Sequence, residues 1–114
     1  MNHEMSLREI PFDRIKSGRK VIEVRLFDEK RQKVQIGDTI TFSKVDHEDE
    51  TITVEVIGLS RFKNFRDFYS AFDKSKFGHS EQDTLEDQIR RERGFYSEEK
   101  EKKYGVLGIH IKLI

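Results

Sequence analysis

The chain has no cysteine, no tryptophan and a single proline in 114 residues. Without cysteine there is no disulfide scaffold, no thiol nucleophile and no thiolate-bound zinc. No apolar run approaches the roughly 18 residues of a membrane-spanning helix. The first residues, Met1-Asn2-His3-Glu4, carry neither the basic nor the apolar region of a secretory signal. A cytoplasmic protein is therefore the expectation. Net charge is also missing, because 22 Lys and Arg balance 22 Asp and Glu. No P-loop, dinucleotide fingerprint or Ser-His-Asp order is present. The histidines His3, His47, His79 and His110 stand far apart, without metal-ligand spacing, so neither a metal nor another cofactor is expected.

What the chain does have is charge of both signs, 39% of all residues, and nine phenylalanines. Disorder requires low hydrophobicity together with a high net charge, and the second condition fails. The length suits one domain over residues 1–114, with a small, phenylalanine-rich core under a charged surface. The charges are unevenly spread. Between Arg19 and Lys33 basic residues outnumber acidic ones six to three, and between Glu81 and Glu101 acidic residues outnumber basic ones eight to four. A local basic patch attracts phosphates even on a neutral protein.

Patterning predicts a first strand over residues 5–10 and a short helix over 11–17. Pro11 would stand in the helix's first turn and Gly18 just past its end. Residues 21–27 alternate as a strand, with Ile22, Val24 and Leu26 facing the core and Glu23 and Arg25 on the opposite face. Gly37-Asp38 signals a turn into a strand over 39–42, and residues 51–59 make its hairpin partner. Phe62, Phe65, Phe68, Tyr69 and Phe72 recur at helical spacing. Leu85 and Ile89 mark a second helix with Thr84 and Asp87 as caps, ended by Gly94. Ser97 caps another helix. Residues from Val106 onward form a closing strand, and His3 and His110 could meet across adjacent strands. The order is α+β: a small, mostly antiparallel curled sheet or β-barrel with two to four flanking helices.

The segment Gly18-x-Lys20-x-x-Glu23-x-Arg25 sits at the helix-to-strand junction. It resembles the G-x-K-x-x-x-x-R hallmark of the ASCH domain family, whose fold is a PUA-like β-barrel. The resemblance continues through Asp28-Glu29-Lys30-Arg31, Ile36-Gly37-Asp38-Thr39-Ile40 and the closing Lys103-Tyr104-Gly105-Val106-Leu107-Gly108-Ile109, as in a bacterial branch of small stand-alone proteins. It implies a cleft, lined by the motif's Lys and Arg, that accepts RNA or a nucleotide-like ligand. In one branch of similar proteins the amide of N4-acetylcytidine is hydrolysed. There a Thr three residues after the motif Lys is the nucleophile and a distant Glu assists. Here Glu23 holds that position, and a carboxylate is a poor nucleophile toward an amide, though it can act as a base toward water.

Candidate ligand residues are therefore Arg19, Lys20, Glu23, Arg25, Lys30, Arg31 and Tyr104, with Lys20 and Glu23 catalytic if the protein is an enzyme. Lys20 and Glu23 have opposite strand parity, so they converge only if Lys20 lies before the regular strand or a bulge intervenes. Lys30, Arg31, Lys33 and Arg19 suit a basic rim, as well as an ordinary solvated loop. Arg61 and Lys63 are weaker candidates, and Glu81 and Glu86 are the options for an assisting carboxylate. Three functions stay open: an RNA- or nucleotide-binding module, a small hydrolase of a modified nucleoside or RNA, and a protein-interaction adaptor using the charged helices.

Overall fold

A computed structural model describes residues 1–114. The elements run β1 (Asn2–Leu7), α1 (Glu9–Lys16), β2 (Ile22–Leu26), β3 (Thr39–Lys44), β4 (His47–Phe62), α2 (Phe65–Ala71), α3 (Leu85–Arg93), α4 (Glu98–Tyr104) and β5 (Val106–Leu113). Short 3-10 turns occupy Arg31–Lys33 and Lys74–Lys76. The fold is α+β: one curled five-stranded sheet in the order β1-β3-β4-β5-β2, with four helices. Only β1 and β3 pair in parallel; the other three pairings are antiparallel.

The curl brings the two edge strands toward each other. The Arg25 Nη2 donates to the Ser6 carbonyl at 2.8 Å, and the Lys30 Nζ to the Glu4 carbonyl at 2.7 Å. Side chains from β2 and the loop after it thus occupy backbone acceptors that an edge strand otherwise leaves open.

Two apolar clusters hold the fold. The first lies within the curl, where Ile40, Phe42, Val54, Val56, Leu107 and Ile109 meet Phe12 and Ile15 of α1. The second lies on the other face, where Ile22, Val24, Leu26 and Val106 meet Phe65, Phe68 and Tyr69 of α2, together with Phe77. Gly108 makes the α2 contact possible, because a Cβ there would stand 2.6 Å from the Phe68 ring. Phe68 then packs edge-on or tilted against Phe62, Tyr69, Phe72 and Phe77, with centroids 5.0–5.7 Å away.

Local chemistry sets the boundaries. The Asn64 side chain caps α2 through the Asp67 N–H at 2.7 Å. Thr84 and Asp87 form a reciprocal capping box on α3, and Ser97 caps α4. Several expectations shift. β1 begins at Asn2, not residue 5, because its parallel register sets Asn2 opposite Thr39. α1 starts at Glu9, leaving Pro11 within the first turn, where its missing N–H has no partner to lose. β4 runs on through a bulge between Val56 and Gly58 to Phe62, so Phe62 ends a strand and does not open the helix. His3 and His110 do not meet, since β3 and β4 separate β1 from β5. His3 contacts Asp38 and His110 contacts Ser60, each at 2.8 Å.

Candidate functional site

Gly18 ends α1 with φ of +81°, a left-handed conformation that glycine adopts without strain. The chain then turns tightly, and the N–H groups of Arg19 and Lys20 both donate to the Arg14 carbonyl. Lys20 makes a single bridge to Phe77 and lies before the regular part of β2. That offset resolves the parity problem, for the Lys20 side chain turns onto Glu23.

The Lys20 Nζ lies 3.2 Å from Glu23 Oε1, and the Arg25 Nε donates to Glu23 Oε2 at 2.9 Å. All three side chains are nearly buried, at 8%, 5% and 13% exposure. β2 is covered on both faces. Ile22, Val24 and Leu26 enter the α2 cluster, while Glu23 and Arg25 stand opposite Ile109 and Leu107 on the inner face. Burial opposes ionisation of Glu23, but the adjacent Lys20 and Arg25 outweigh it and hold its carboxyl below the usual range. Two buried cations thus share one carboxylate.

Residues that sequence patterning did not place at the site complete the surroundings. The Tyr69 hydroxyl donates to Glu92 Oε1 at 2.6 Å. Burial pushes Glu92 up to about 7, in the field of Lys20, Glu23 and Arg25. Burial, followed by the Glu92 charge, also drives the Tyr69 hydroxyl far above its ordinary value. His79 is lowered to about 4 by burial and then by Lys20, Arg91 and Arg14, so it is neutral at physiological pH. The amide of Gln88 contacts His79 Nδ1 at 3.0 Å, while its Oε1 is buried without a partner. The signal for Glu92 and Gln88 is in α3, where Leu85, Ile89 and Glu92 continue one helical stripe beside the buried Gln88. Polar residues along an apolar stripe either need partners or face a site.

The other predicted residues are dispersed. The Arg19 Nε donates to Ser17 Oγ at the surface. Lys30 reaches the Glu4 carbonyl, and Arg31 pairs with Asp28 at 3.1 Å. The Tyr104 hydroxyl donates to Glu29 at 3.3 Å, and its ring lines a separate hollow of about 690 Å³. Glu86 is exposed and paired with Arg66, and Glu81 contributes only its carbonyl, to Lys74. Neither carboxylate joins the group around Glu23. A second hollow, of about 540 Å³, lies beside the Lys20 stem and is lined mostly by apolar residues such as Ile22, Ile57 and Phe72.

The family model described as the ASCH domain matches residues 5–114. Among solved structures, the chain is similar to a hypothetical protein, PH0355. The two are 36% identical, each covers all of the other, and the TM-score is 0.88. It is also similar to protein PF0455 from Pyrococcus furiosus, at 36% identity and a TM-score of 0.78, over 100% of this chain and 98% of that one. An ASCH domain from Lactobacillus crispatus shares the fold at 17% identity and a TM-score of 0.67, over 98% of this chain and 79% of that one. No curated protein matches the chain.

Proposed function

The chain belongs to the ASCH domain family, and on that premise we propose that residues 1–114 act as one domain binding RNA or a nucleotide-like ligand at Lys20, Glu23 and Arg25. One observation carries this reading: two nearly buried cations share a single carboxylate. Removing charges from water costs several kcal/mol each, on the order of what a good pairing returns. A balanced pair can break even; a group with a cation in excess cannot. The surplus suits an anionic or strongly polar ligand group, and Arg25 supplies a planar fork matched to phosphate or carboxylate. Arg25 also ties down Ser6, which is a structural role for one of its nitrogens and leaves the surplus charge in place.

The chemistry of Glu92 favours an enzyme as the second reading. Both oxygens of Glu23 are engaged by cations and its proton affinity is depressed, which makes it a weak base. Glu92 has one oxygen held by Tyr69 and titrates near neutrality, the range that suits acid–base work. If the protein cleaves a nucleoside amide, Glu92 and not Glu23 is the carboxyl that moves the proton.

The test is a binding and turnover assay with N4-acetylcytidine and a short single-stranded RNA, on wild type and Lys20→Met, at two salt concentrations. Salt-sensitive binding that weakens in the variant supports the module. Acetate release that disappears in Glu92→Gln supports the enzyme. Unchanged binding in Lys20→Met removes the cleft reading.

A further inference from the structure

The hollow of about 690 Å³ lies beyond the far end of β2 from Lys20, where the β4–α2 junction meets the last turn of α4. Four cations line it: Arg61, Lys63, Lys102 and Lys103. None of the four has an acidic partner within 4 Å, although the chain forms twelve ion pairs elsewhere. Of the two acids at the hollow, Glu101 is already committed. Its Oε1 takes the Arg93 guanidinium at 2.8 Å and its Oε2 the Phe65 N–H at 2.7 Å. Only Glu98 stands against the four.

Helix electrostatics explain two of these cations, because Lys102 and Lys103 complement the negative end of α4. Arg61 and Lys63 have no such reason. Arg61 stands over the Phe27 ring, its Cζ 3.8 Å from the centroid, so packing holds its guanidinium in place without neutralising it. The partly exposed Tyr104 also lines the hollow, with the Lys103 Nζ 5.0 Å over one face of its ring, which leaves the other face for a base. Unpaired cations beside an aromatic face are the chemistry that follows a single strand, with phosphates on the cations and a base against the ring.

We infer that this hollow is a second nucleic-acid site, holding backbone phosphates of a single-stranded RNA that also reaches the Lys20–Arg25 cleft. The inference rests on the reading of that cleft given above. The five residues of β2 separate the two places by about 17 Å, more than a mononucleotide spans. The loop after β2 continues from Arg25 to the hollow, where its Glu29 accepts from the Tyr104 hydroxyl. Short ligands should therefore depend on the cleft alone, and longer ones on both.

The experiment compares labelled decauridylate with cytidine 5′-monophosphate on wild type, Lys20→Met and the double variant Lys63→Glu/Lys103→Glu. Both reversed lysines are exposed, and circular dichroism checks that the fold is retained. The expected result is at least a tenfold loss of decauridylate affinity in the double variant at low salt. The slope of log affinity against log salt should shrink by about 1.4, the share of two phosphate contacts on a single strand. Cytidine monophosphate binding should be unchanged. Decauridylate affinity and slope equal to wild type would overturn the inference, as would wild type failing to bind decauridylate. Equal displacement by polyglutamate of matched charge also overturns it, in favour of an acidic peptide. Loss of both ligands in Lys20→Met with no effect of the double variant leaves the cleft reading intact and removes only the hollow. Loss of decauridylate in the double variant, with no effect of Lys20→Met, keeps the hollow as a nucleic-acid site and removes the cleft reading.

Discussion

Removing either side of the buried charge group should have unequal effects. Glu23→Gln leaves Lys20 and Arg25, 8% and 13% exposed, facing a neutral amide. Taking one partner from a buried ion pair typically costs about 3–5 kcal/mol, because the remaining charge is stranded. A chain of this length loses about 4 °C of melting temperature per kcal/mol, so the variant should melt about 12–20 °C below wild type. Lys20→Met does the reverse. It removes the surplus cation, fills the space with a side chain of similar length, and leaves Glu23 and Arg25 matched one to one. Its melting temperature should stay within about 4 °C of wild type. Thermal unfolding followed by circular dichroism at pH 7 and moderate salt reads both. If Lys20→Met falls as far as Glu23→Gln, the charge group is balanced in some other way and the surplus-cation argument fails. The same carboxylate sets an acid limit. Its pKa is lower in the fold than the ordinary 4.5, so its contribution is complete above pH 4.5 and disappears as the pH falls through the folded value.

Glu92 works in the opposite direction. Its pKa rises from 4.5 to about 7 on folding, so the stability linked to its proton is full below pH 4.5 and lost as the pH rises through 7. That gap corresponds to about 3 kcal/mol. Glu92→Gln should accordingly be more stable than wild type in urea melts at pH 8, by up to that amount, with the advantage gone at pH 4. Gly108→Ala should lose about 1–3 kcal/mol in the same assay, since the new Cβ meets the Phe68 ring at 2.6 Å and Ser60 Oγ at 2.9 Å; wild-type stability would mean that α2 shifts freely. Thr84→Ala should cost about 1 kcal/mol in the same urea melts by breaking the capping box on α3, and wild-type stability would mean that the box contributes nothing.

The local grammar of the chain was legible in the sequence. The strand from Thr39 with its hairpin partner, the caps at Thr84 and Ser97, and the strand carrying Glu23 and Arg25 just after Lys20 all rest on short-range pattern, and the structure contains them. Alternation in β2 identified Ile22, Val24 and Leu26 as core, yet it treated the Glu23 face as the outer one. That inference fails because the sheet curls, so the second face of an edge strand turns inward against Leu107 and Ile109. The helical stripe that assigned Phe62 to α2 failed for a similar reason: residue spacing carries no information about a bulge that lets β4 run on. Gln88 and Glu92 share α3, but Tyr69 comes from α2 and His79 from the segment between the two helices, so the four meet only through tertiary packing and no short motif contains them all.

The sheet order also has a consequence in time. β2 pairs along its length with β5 alone, from Ile22 opposite His110 to Leu26 opposite Val106. A ribosome adding about 5–20 residues per second finishes the motif strand some 4–16 seconds before its partner begins to appear. Through that interval Lys20, Glu23 and Arg25 are joined in sequence without the neighbour that sets their register. The motif is written early and assembled last, and any chain cut short before Val106 would carry the residues of the site without the surface that makes them one.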